Sequence, residues 1–324
     1  MKKYLFFIML SCIYFSCSKD NKSTPPPTKT TTSGKTYTVN FNISAVGAST
    51  LNTNGIKQTN SIKQTDSIIP VSEFTNTLEY WVYNSSGALI TKIFQSPGTS
   101  NYGQISDTFS AGTYNVVIIA QNNLSGQQTI PQLPAPATYS TGTFKTSGED
   151  TFFKTFSLTV TDTTVTQNVT LNRIVGQLQV VVTDSIPANT VSVFSSLNDN
   201  TVSISTGLPT TTTYPIDLDI FHGIVIGETN YTMTGYVANT TSPFTVYITA
   251  ENGSGVTFVN DTVPNITCQA NTRTILSGNL FASAYPGVGF TVTFNNTWDD
   301  TTFIAFSKKR SPIILNNQGS SKIR

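Results

Sequence analysis

The residue whose surroundings indicate a definite chemistry is Cys17. A short basic segment precedes a nearly unbroken apolar run, Tyr4 to Phe15, which has the length of the apolar region of a secretion signal. A transmembrane helix would need roughly 20 such residues. The YFSC stretch that ends at Cys17 looks like a lipobox, with Phe15 where Leu is usual. We therefore expect a lipoprotein signal over residues 1–16 that is cleaved, and diacylglycerol attachment to the sulfur of Cys17. The alternative is an ordinary cleaved signal with a Cys nearby.

The residues after Cys17 predict a tether. Residues 17–36 are polar and Pro-rich, so they cannot bury a core and should be disordered or extended. Ser18-Lys19-Asp20 resembles the short signal of a Lys and an acid that sends Bacteroidota lipoproteins to the cell exterior. Two or three acyl chains, palmitate among them, would anchor such a protein stably to the outer membrane.

The residues that could form a catalytic site do not assemble into one. His222 is the single histidine, and no nucleophile motif such as GxSxG accompanies it. Asp217 and Asp219 share one side of a predicted strand, but Ca²⁺ would need more oxygen ligands than they supply. We interpret His222 as a polar residue at a strand end and the two carboxylates as a solvated face.

Two adjacent acid pairs are also better explained without catalysis. Glu149-Asp150 and Asp299-Asp300 lie in predicted turns, and adjacency in sequence is not the geometry of a glycosidase carboxylate pair. The chain has no phosphate-binding loop, CxxC or HExxH. We therefore expect a protein that is not an enzyme and needs no cofactor or metal.

Seven of the twelve Asp residues precede Ser or Thr, where composition predicts roughly three or four. This pattern resembles the acceptor motif for O-glycosylation in secreted Bacteroidota proteins, and turn capping by Asp explains it equally well. The candidate acceptors are Ser67, Thr108, Thr151, Thr163, Ser185, Thr262 and Thr301.

Composition narrows the class of protein further. The net charge is +1 with 11% charged residues, and no basic patch interleaves with aromatics, so we expect no nucleic-acid partner. Cys12 would leave with the signal and Cys17 would be acylated. Cys268 therefore has no disulfide partner, and we predict a small buried apolar group.

Alternation of apolar and polar residues predicts two series of about seven short strands, one before and one after Asn172. The fold class is therefore all-β, with two tandem transthyretin-like or Ig-like β-sandwiches. The predicted organisation is a signal at 1–16, a tether at 17–36, an N-terminal sandwich at 37–172, a C-terminal sandwich at 173–307 and a tail at 308–324. Residues 47–74 and 122–148 are predicted long loops.

Several segments, in this order, carry a family resemblance. They are Thr38–Ile43 (TVNFNI), Leu78–Asn84 (LEYWVYN), Phe109–Val117 (FSAGTYNVV), Asn172–Leu178 (NRIVGQL) and Asn271–Phe281 (NTRTILSGNLF). Together they resemble the fimbrillin-associated anchor proteins, the FimB-like group of Bacteroidota surface lipoproteins, over about residues 37–300. The polar tail after Trp298 departs from that pattern.

The resemblance implies an outer-membrane lipoprotein at the base of a fimbrium, with fimbrial subunits as partners. Those subunits join by strand addition, in which one chain donates an extended segment to a groove in the next. It also implies that polymerising subunits are cut after their first strand and that anchors are not. The corresponding segment here, 47–74, has no Arg, which favours an anchor that keeps its first strand.

Two other functions stay open from the sequence. One is a glycan-binding surface lipoprotein of a nutrient-uptake system, which would use exposed aromatic rings. Trp298, at a predicted strand end, is the candidate stacking residue, whereas Trp81 lies in an apolar run and is predicted to be core. The other is a stand-alone adhesin without a polymer.

Overall fold

The computed structural model describes residues 34–47, 67–96, 98–122, 132–218, 223–281 and 291–295. Within these residues the chain is built from β-strands, and the single helical element is a 3₁₀ turn at Val71–Glu73. The prediction of an all-β chain made of β-sandwiches is confirmed.

The strands form two consecutive groups. The first comprises β1 (Thr36–Gly47), β2 (Ser67–Pro70), β3 (Thr77–Tyr83), β4 (Leu89–Gln95), β5 (Gln104–Ser110), β6 (Gly112–Asn122), β7 (Thr143–Phe144), β8 (Asp150–Val160) and β9 (Val165–Arg173). The second comprises β10 (Gly176–Val182), β11 (Thr190–Ser203), β12 (Pro209–Leu218), β13 (Tyr231–Val237), β14 (Phe244–Asn252), β15 (Thr257–Ile266), β16 (Arg273–Gly278) and β17 (Thr291–Asn295).

Eight of the nine strands of the first group fold into one curled sheet that closes on itself as a sandwich, whereas β7 pairs with β11 of the second group. Its order is β2-β1-β9-β8-β6-β3-β4, and β5 pairs with β1. Alternate residues of each strand point inward, because side chains in a strand alternate between faces. Phe41, Tyr80, Ile118 and Phe152 are among the largest side chains of the resulting core.

The second group forms two separate sheets that face each other. One has the order β13-β10-β16-β17 and the other β12-β11-β14-β15. The apolar positions of β10 and β14, such as Leu178, Val180, Val246 and Ile248, are buried between them together with Cys268. The prediction of a buried, unpaired Cys268 is confirmed within the described residues.

Most predicted strands are present, and the differences lie in short or polar segments. The sequence missed β2 and β7, which have only four and two residues, and it missed β15 and the second half of β11, which are rich in Thr and Asn. Part of each predicted long loop is in fact ordered: β2 and the 3₁₀ turn lie within 47–74, and β7 lies within 122–148. The boundary between residues 172 and 173 stays a prediction, and the signal and tail lie outside the described residues.

Candidate functional site

Several residues that the sequence singled out cannot be placed. Cys17, His222, Trp298 and Thr301 lie outside the described residues. The lipidation and stacking hypotheses therefore stay predictions. Asp217 is exposed on β12, as expected for a solvated face, while Asp219 is not described.

The candidate glycosylation acceptors differ in exposure. Four of the acceptor side chains are exposed: Thr108, Thr163, Ser185 and Thr262. Thr151 is fully buried in β8. The side chain of Ser67 is not described. A buried hydroxyl cannot reach a transferase in the folded chain, so Thr151 is the poorest acceptor of the set. Modification of the others stays a prediction.

The first strand is built into the interior of the N-terminal sandwich. Residues 36–42 of β1 pair antiparallel with β5, residues 44–47 pair with β2, and residues 39–45 pair in parallel with β9 on the opposite edge. Val39, Phe41 and Ala45 are at most 1% exposed. Side chains reinforce the parallel pairing, since Asn42 donates to Asn168 at 3.0 Å. β1 therefore leaves no backbone edge open along residues 39–45.

A segment that we call the strap, residues 132–148, covers the outer face of the sheet formed by β4, β3, β6 and β8. Trp81 and Tyr83 on that face are fully buried beneath it. The Tyr83 hydroxyl donates to the Pro136 carbonyl at 3.0 Å. The strap then joins the second group of strands, because β7 pairs with β11 at Phe144 and Val202. The strap thus connects the two sandwiches through a shared apolar core.

An ion pair secures the point where the chain passes from one sandwich to the other. Nε and Nη2 of Arg173 donate to the two carboxylate oxygens of Asp150 at 2.8 and 3.0 Å. Nη1 donates to Oδ1 of Asn271 at 2.8 Å, and the guanidinium lies 4.6 Å from the ring centroid of Phe152. Both charged residues are buried. The turn role predicted for Asp150 is wrong, since it begins β8 and anchors this pair.

A second buried carboxylate ties the strap to the C-terminal sandwich. Asp199 accepts from the backbone N–H groups of Ala238 at 3.0 Å and Asn239 at 2.8 Å. It also accepts from Thr146 Oγ1 at 3.3 Å and from the Tyr214 hydroxyl at 3.4 Å. Burial raises the pKa of Asp199, although these donors oppose that shift. No pattern in the sequence indicates a role for Asp199, because its partners come from three separate segments.

A third buried carboxylate, Glu79, holds the start of the strap. Its Oε1 accepts from the Leu133 N–H at 2.8 Å, and its Oε2 accepts from Trp81 Nε1 at 3.2 Å. Burial raises the pKa of Glu79 to about 7, and the two hydrogen bonds and the charge of Lys92 only partly offset that effect. Glu79 is therefore partly protonated near neutral pH.

A groove of about 550 Å³ opens on the C-terminal sandwich beside the hydrogen bonds of Asp199. Asn198 and Asn200 of β11 line the groove, and Asp199 between them points to the opposite side of the strand. The remaining lining residues belong to the start of β12 and to the segment that enters β14: Pro209, Thr210, Thr211, Thr213, Asn239, Thr241, Ser242, Pro243, Phe244, Thr245 and Tyr247. No pattern in the sequence indicates this groove.

The metal-ligand and thiol groups of the described residues can be placed. No three His, Cys, Asp or Glu residues among them lie close enough together to hold a metal ion. Burial raises the pKa of the Cys268 thiol to about 11, so it is protonated and unreactive at neutral pH. In the described part of the chain, no helix has the length and apolarity needed to cross a membrane.

Comparison with known proteins gives one family. The model of the family described as "Family of unknown function (DUF6562)" matches residues 32–316. No curated protein matches the chain.

Solved structures with a similar fold include fimbrial proteins and putative adhesins. The fimbrial anchor protein Mfa2 from Porphyromonas gingivalis is 12% identical, with a TM-score of 0.48, over 81% of this chain and 98% of that one. The tip fimbrial protein Mfa3 from the same organism is 13% identical, with a TM-score of 0.36, over 81% and 99%. A fimbrial assembly protein from Parabacteroides distasonis is 10% identical, with a TM-score of 0.38, over 81% and 98%. Such identities and TM-scores transfer no function.

Proposed function

We propose that this chain, which belongs to the DUF6562 family of unknown function, is a non-enzymatic surface lipoprotein that anchors a fimbrium to the outer membrane. Lipid on Cys17 would hold it to the membrane, and strand-addition contacts would hold the fimbrial subunits. Its location would be the outer membrane, facing the cell exterior. The observation that carries the proposal is the complete integration of β1 into the N-terminal sandwich.

The position of β1 matters because strand addition requires an open groove. If β1 left, the edges of β5 and β9 would lose their partners, and the core around Phe41 would be exposed. An intact chain offers no such groove there. A subunit that keeps β1 accepts no donor segment at that place and so ends a polymer, which is the behaviour of an anchor.

The first test is the amino terminus of the mature protein, determined by mass spectrometry after purification from native membranes. We expect the chain to start at an acylated Cys17 and to retain β1. A mature protein that starts within residues 58–75 would show that β1 is cut away and would contradict the anchor proposal.

The second test separates the lipid from the rest of the chain. Cys17→Ala should release the protein, with any fimbria mounted on it, into the medium. Ser18→Ala is the matched control, because it changes the neighbouring residue and leaves the acylated sulfur in place. Cell-bound protein in the Cys17→Ala strain would contradict the lipoprotein prediction and the anchor proposal with it.

Co-purification from native outer membranes distinguishes the remaining functions. A ladder of polymeric fimbrial subunits supports the anchor. A TonB-type transporter supports the glycan-binding lipoprotein of a nutrient-uptake system, and recovery of the chain alone supports a stand-alone adhesin.

A further inference from the structure

The groove beside β11 has an unusual lining for a cavity of its size. Its volume, about 550 Å³, lies within the range of about 300–1,000 Å³ that small-molecule sites occupy. None of the described residues that line it is charged. The lining consists instead of Asn amides, Thr and Ser hydroxyls, two prolines and two aromatic rings. Such a lining suits a neutral ligand that is rich in hydroxyl groups, because amides and hydroxyls can both donate and accept.

Tyr247 supplies an aromatic surface at this groove. It lies on β14 and is 40% exposed, although most aromatic side chains of the described residues are buried or half-buried. Its partners on the neighbouring strands are Ser196 of β11 and Thr262 of β15, whose small side chains do not cover the ring. A ring with an apolar face and a polar tip can pack against the C–H face of a sugar while its hydroxyl stays solvated.

The wall of the groove is fixed before any ligand arrives. Asn239 Oδ1 accepts from the Ser242 N–H at 3.2 Å and from the Ser242 hydroxyl at 2.9 Å, which closes a turn. Asp199 holds the same segment from behind through the Asn239 N–H. On the other wall the Asn200 amide donates to the Thr210 carbonyl. A preorganised wall lowers the entropic cost of binding.

We propose that this groove binds a neutral oligosaccharide, with Tyr247 as the stacking platform and Asn198 as an exposed hydrogen-bonding group. The site differs from the stacking residue that the sequence suggested, Trp298. The proposal does not rest on the anchor function, since an anchor and a stand-alone adhesin could each carry such a site.

The test uses the purified full-length chain, produced in a host that lacks the predicted O-glycosylation machinery so that Thr262 carries no sugar. Binding is measured by saturation-transfer NMR and calorimetry against hexamers of glucose (α- and β-linked), xylose, mannose and N-acetylglucosamine. Oligomers of galacturonic acid serve as acidic probes. We expect at least one neutral hexamer to bind and the acidic oligomers to bind at least tenfold more weakly.

Variants assign the binding to the groove. Tyr247→Ala should weaken binding by at least tenfold, whereas Tyr247→Phe keeps the ring and should change it by less than threefold. Asn198→Ala should weaken binding to a smaller extent. Val191→Ala, an exposed apolar residue outside the groove, is the matched control and should bind as the parent chain does.

Three results would overturn the proposal. One is the absence of binding to every neutral hexamer, and another is equal binding by the parent chain and Tyr247→Ala. The third is a preference for the acidic oligomers. A thermal unfolding curve for each variant shows whether a loss of binding reflects unfolding. Tyr247→Phe keeps the aromatic ring, so its binding shows the contribution of the ring even if Tyr247→Ala is unstable. Membrane release and co-purification test the anchor independently, so either proposal can fail without the other.

Discussion

The outer faces of two sheets differ in burial. In the N-terminal sandwich, the face of β3 and β6 that carries Trp81 and Ile119 is covered by the strap and by the C-terminal sandwich. In the C-terminal sandwich, the face of β11 and β14 that carries Asn198 and Tyr247 is open. We call them the covered face and the open face. Every residue of β3 is buried, whereas the exposed residue of β14 is Tyr247, flanked by buried positions.

Charge also separates the junction beside the covered face from the groove on the open face. The junction around the covered face contains three buried carboxylates, those of Glu79, Asp150 and Asp199, each held by hydrogen bonds. The groove on the open face is lined by uncharged side chains. Buried charges are costly unless they are paired, so they fix one arrangement of the strands around them. Uncharged polar groups remain free to exchange water for a ligand. The covered face therefore serves structure, and the open face is available for recognition.

The largest expected loss of stability comes from breaking the ion pair at the junction beside the covered face. Arg173→Ala removes both hydrogen bonds to Asp150, the bond to Asn271 and the contact with the Phe152 ring. The Asp150 carboxylate would stay buried without its partner. We expect the free energy of unfolding to fall by about 3–5 kcal/mol, toward the upper end, as measured by chemical denaturation.

The double variant Arg173→Ala/Asp150→Ala tests the cause. If the loss reflects an unpaired buried carboxylate, removing that carboxylate as well should cost nothing further and should recover part of the stability. Additive losses would show instead that the two residues act through separate packing contacts.

The next largest effect is expected at Trp81, the buried aromatic residue of the covered face. Trp81 is fully buried, contacts the Phe144 ring edge-on at 6.4 Å and donates to Glu79. Trp81→Ala would leave a cavity under the strap, so we expect a loss of about 3–5 kcal/mol in denaturant unfolding. Trp81→Phe fills most of that space and should lose clearly less. Equal losses would indicate that the Nε1 bond to Glu79, and not the packing, dominates.

The strands of the covered face were largely predictable from the sequence, but the segments that cover them were not. The run Tyr114 to Gln121 reads as a strand buried on both sides, because it is apolar at successive positions. The sequence does not tell what covers the second side, since the strap is polar, Pro-rich and irregular. The buried positions of Trp81 and Cys268 were likewise correct, because Trp81 lies in an apolar run and Cys is among the residue types most often buried.

The groove and the buried carboxylates escaped prediction for a different reason. Asp199 gains its role from Thr146, Tyr214 and Ala238, which are far apart in the sequence. Arg173 and Asn271 belong to two of the segments that carry the family resemblance, and only the fold brings them within 2.8 Å. Long-range contacts of this kind leave no periodic signal in one sequence.

A smaller effect concerns pH at the covered face. The folded pKa of Glu79 is about 7, above the 4.5 of an unperturbed Glu. Between these values the folded chain keeps a proton that the unfolded chain has lost, so the free energy of unfolding falls as pH rises from about 4.5 to 7 and is level above. Over this pH range the free energy of unfolding should fall by at most about 3 kcal/mol.

Glu79→Gln isolates that contribution. The amide cannot ionise, and its oxygen can still accept from the Leu133 N–H. The difference in unfolding free energy between parent and variant, measured by denaturation at several pH values, should therefore change across pH 4.5–7 and be constant above. A difference that stays constant over the whole range would show that Glu79 titrates normally.

The smallest expected effect on stability lies on the open face. Tyr247 is 40% exposed and has small cross-strand neighbours, so its truncation removes little buried surface. We expect Tyr247→Ala to change the free energy of unfolding by less than about 1 kcal/mol in the denaturation assay used for Trp81→Ala. A loss as large as that of Trp81→Ala would mean that the ring supports the sheet, and the contrast between the two faces would disappear. A small loss together with weakened oligosaccharide binding would show that an aromatic ring on the open face is kept for what it contacts outside the chain.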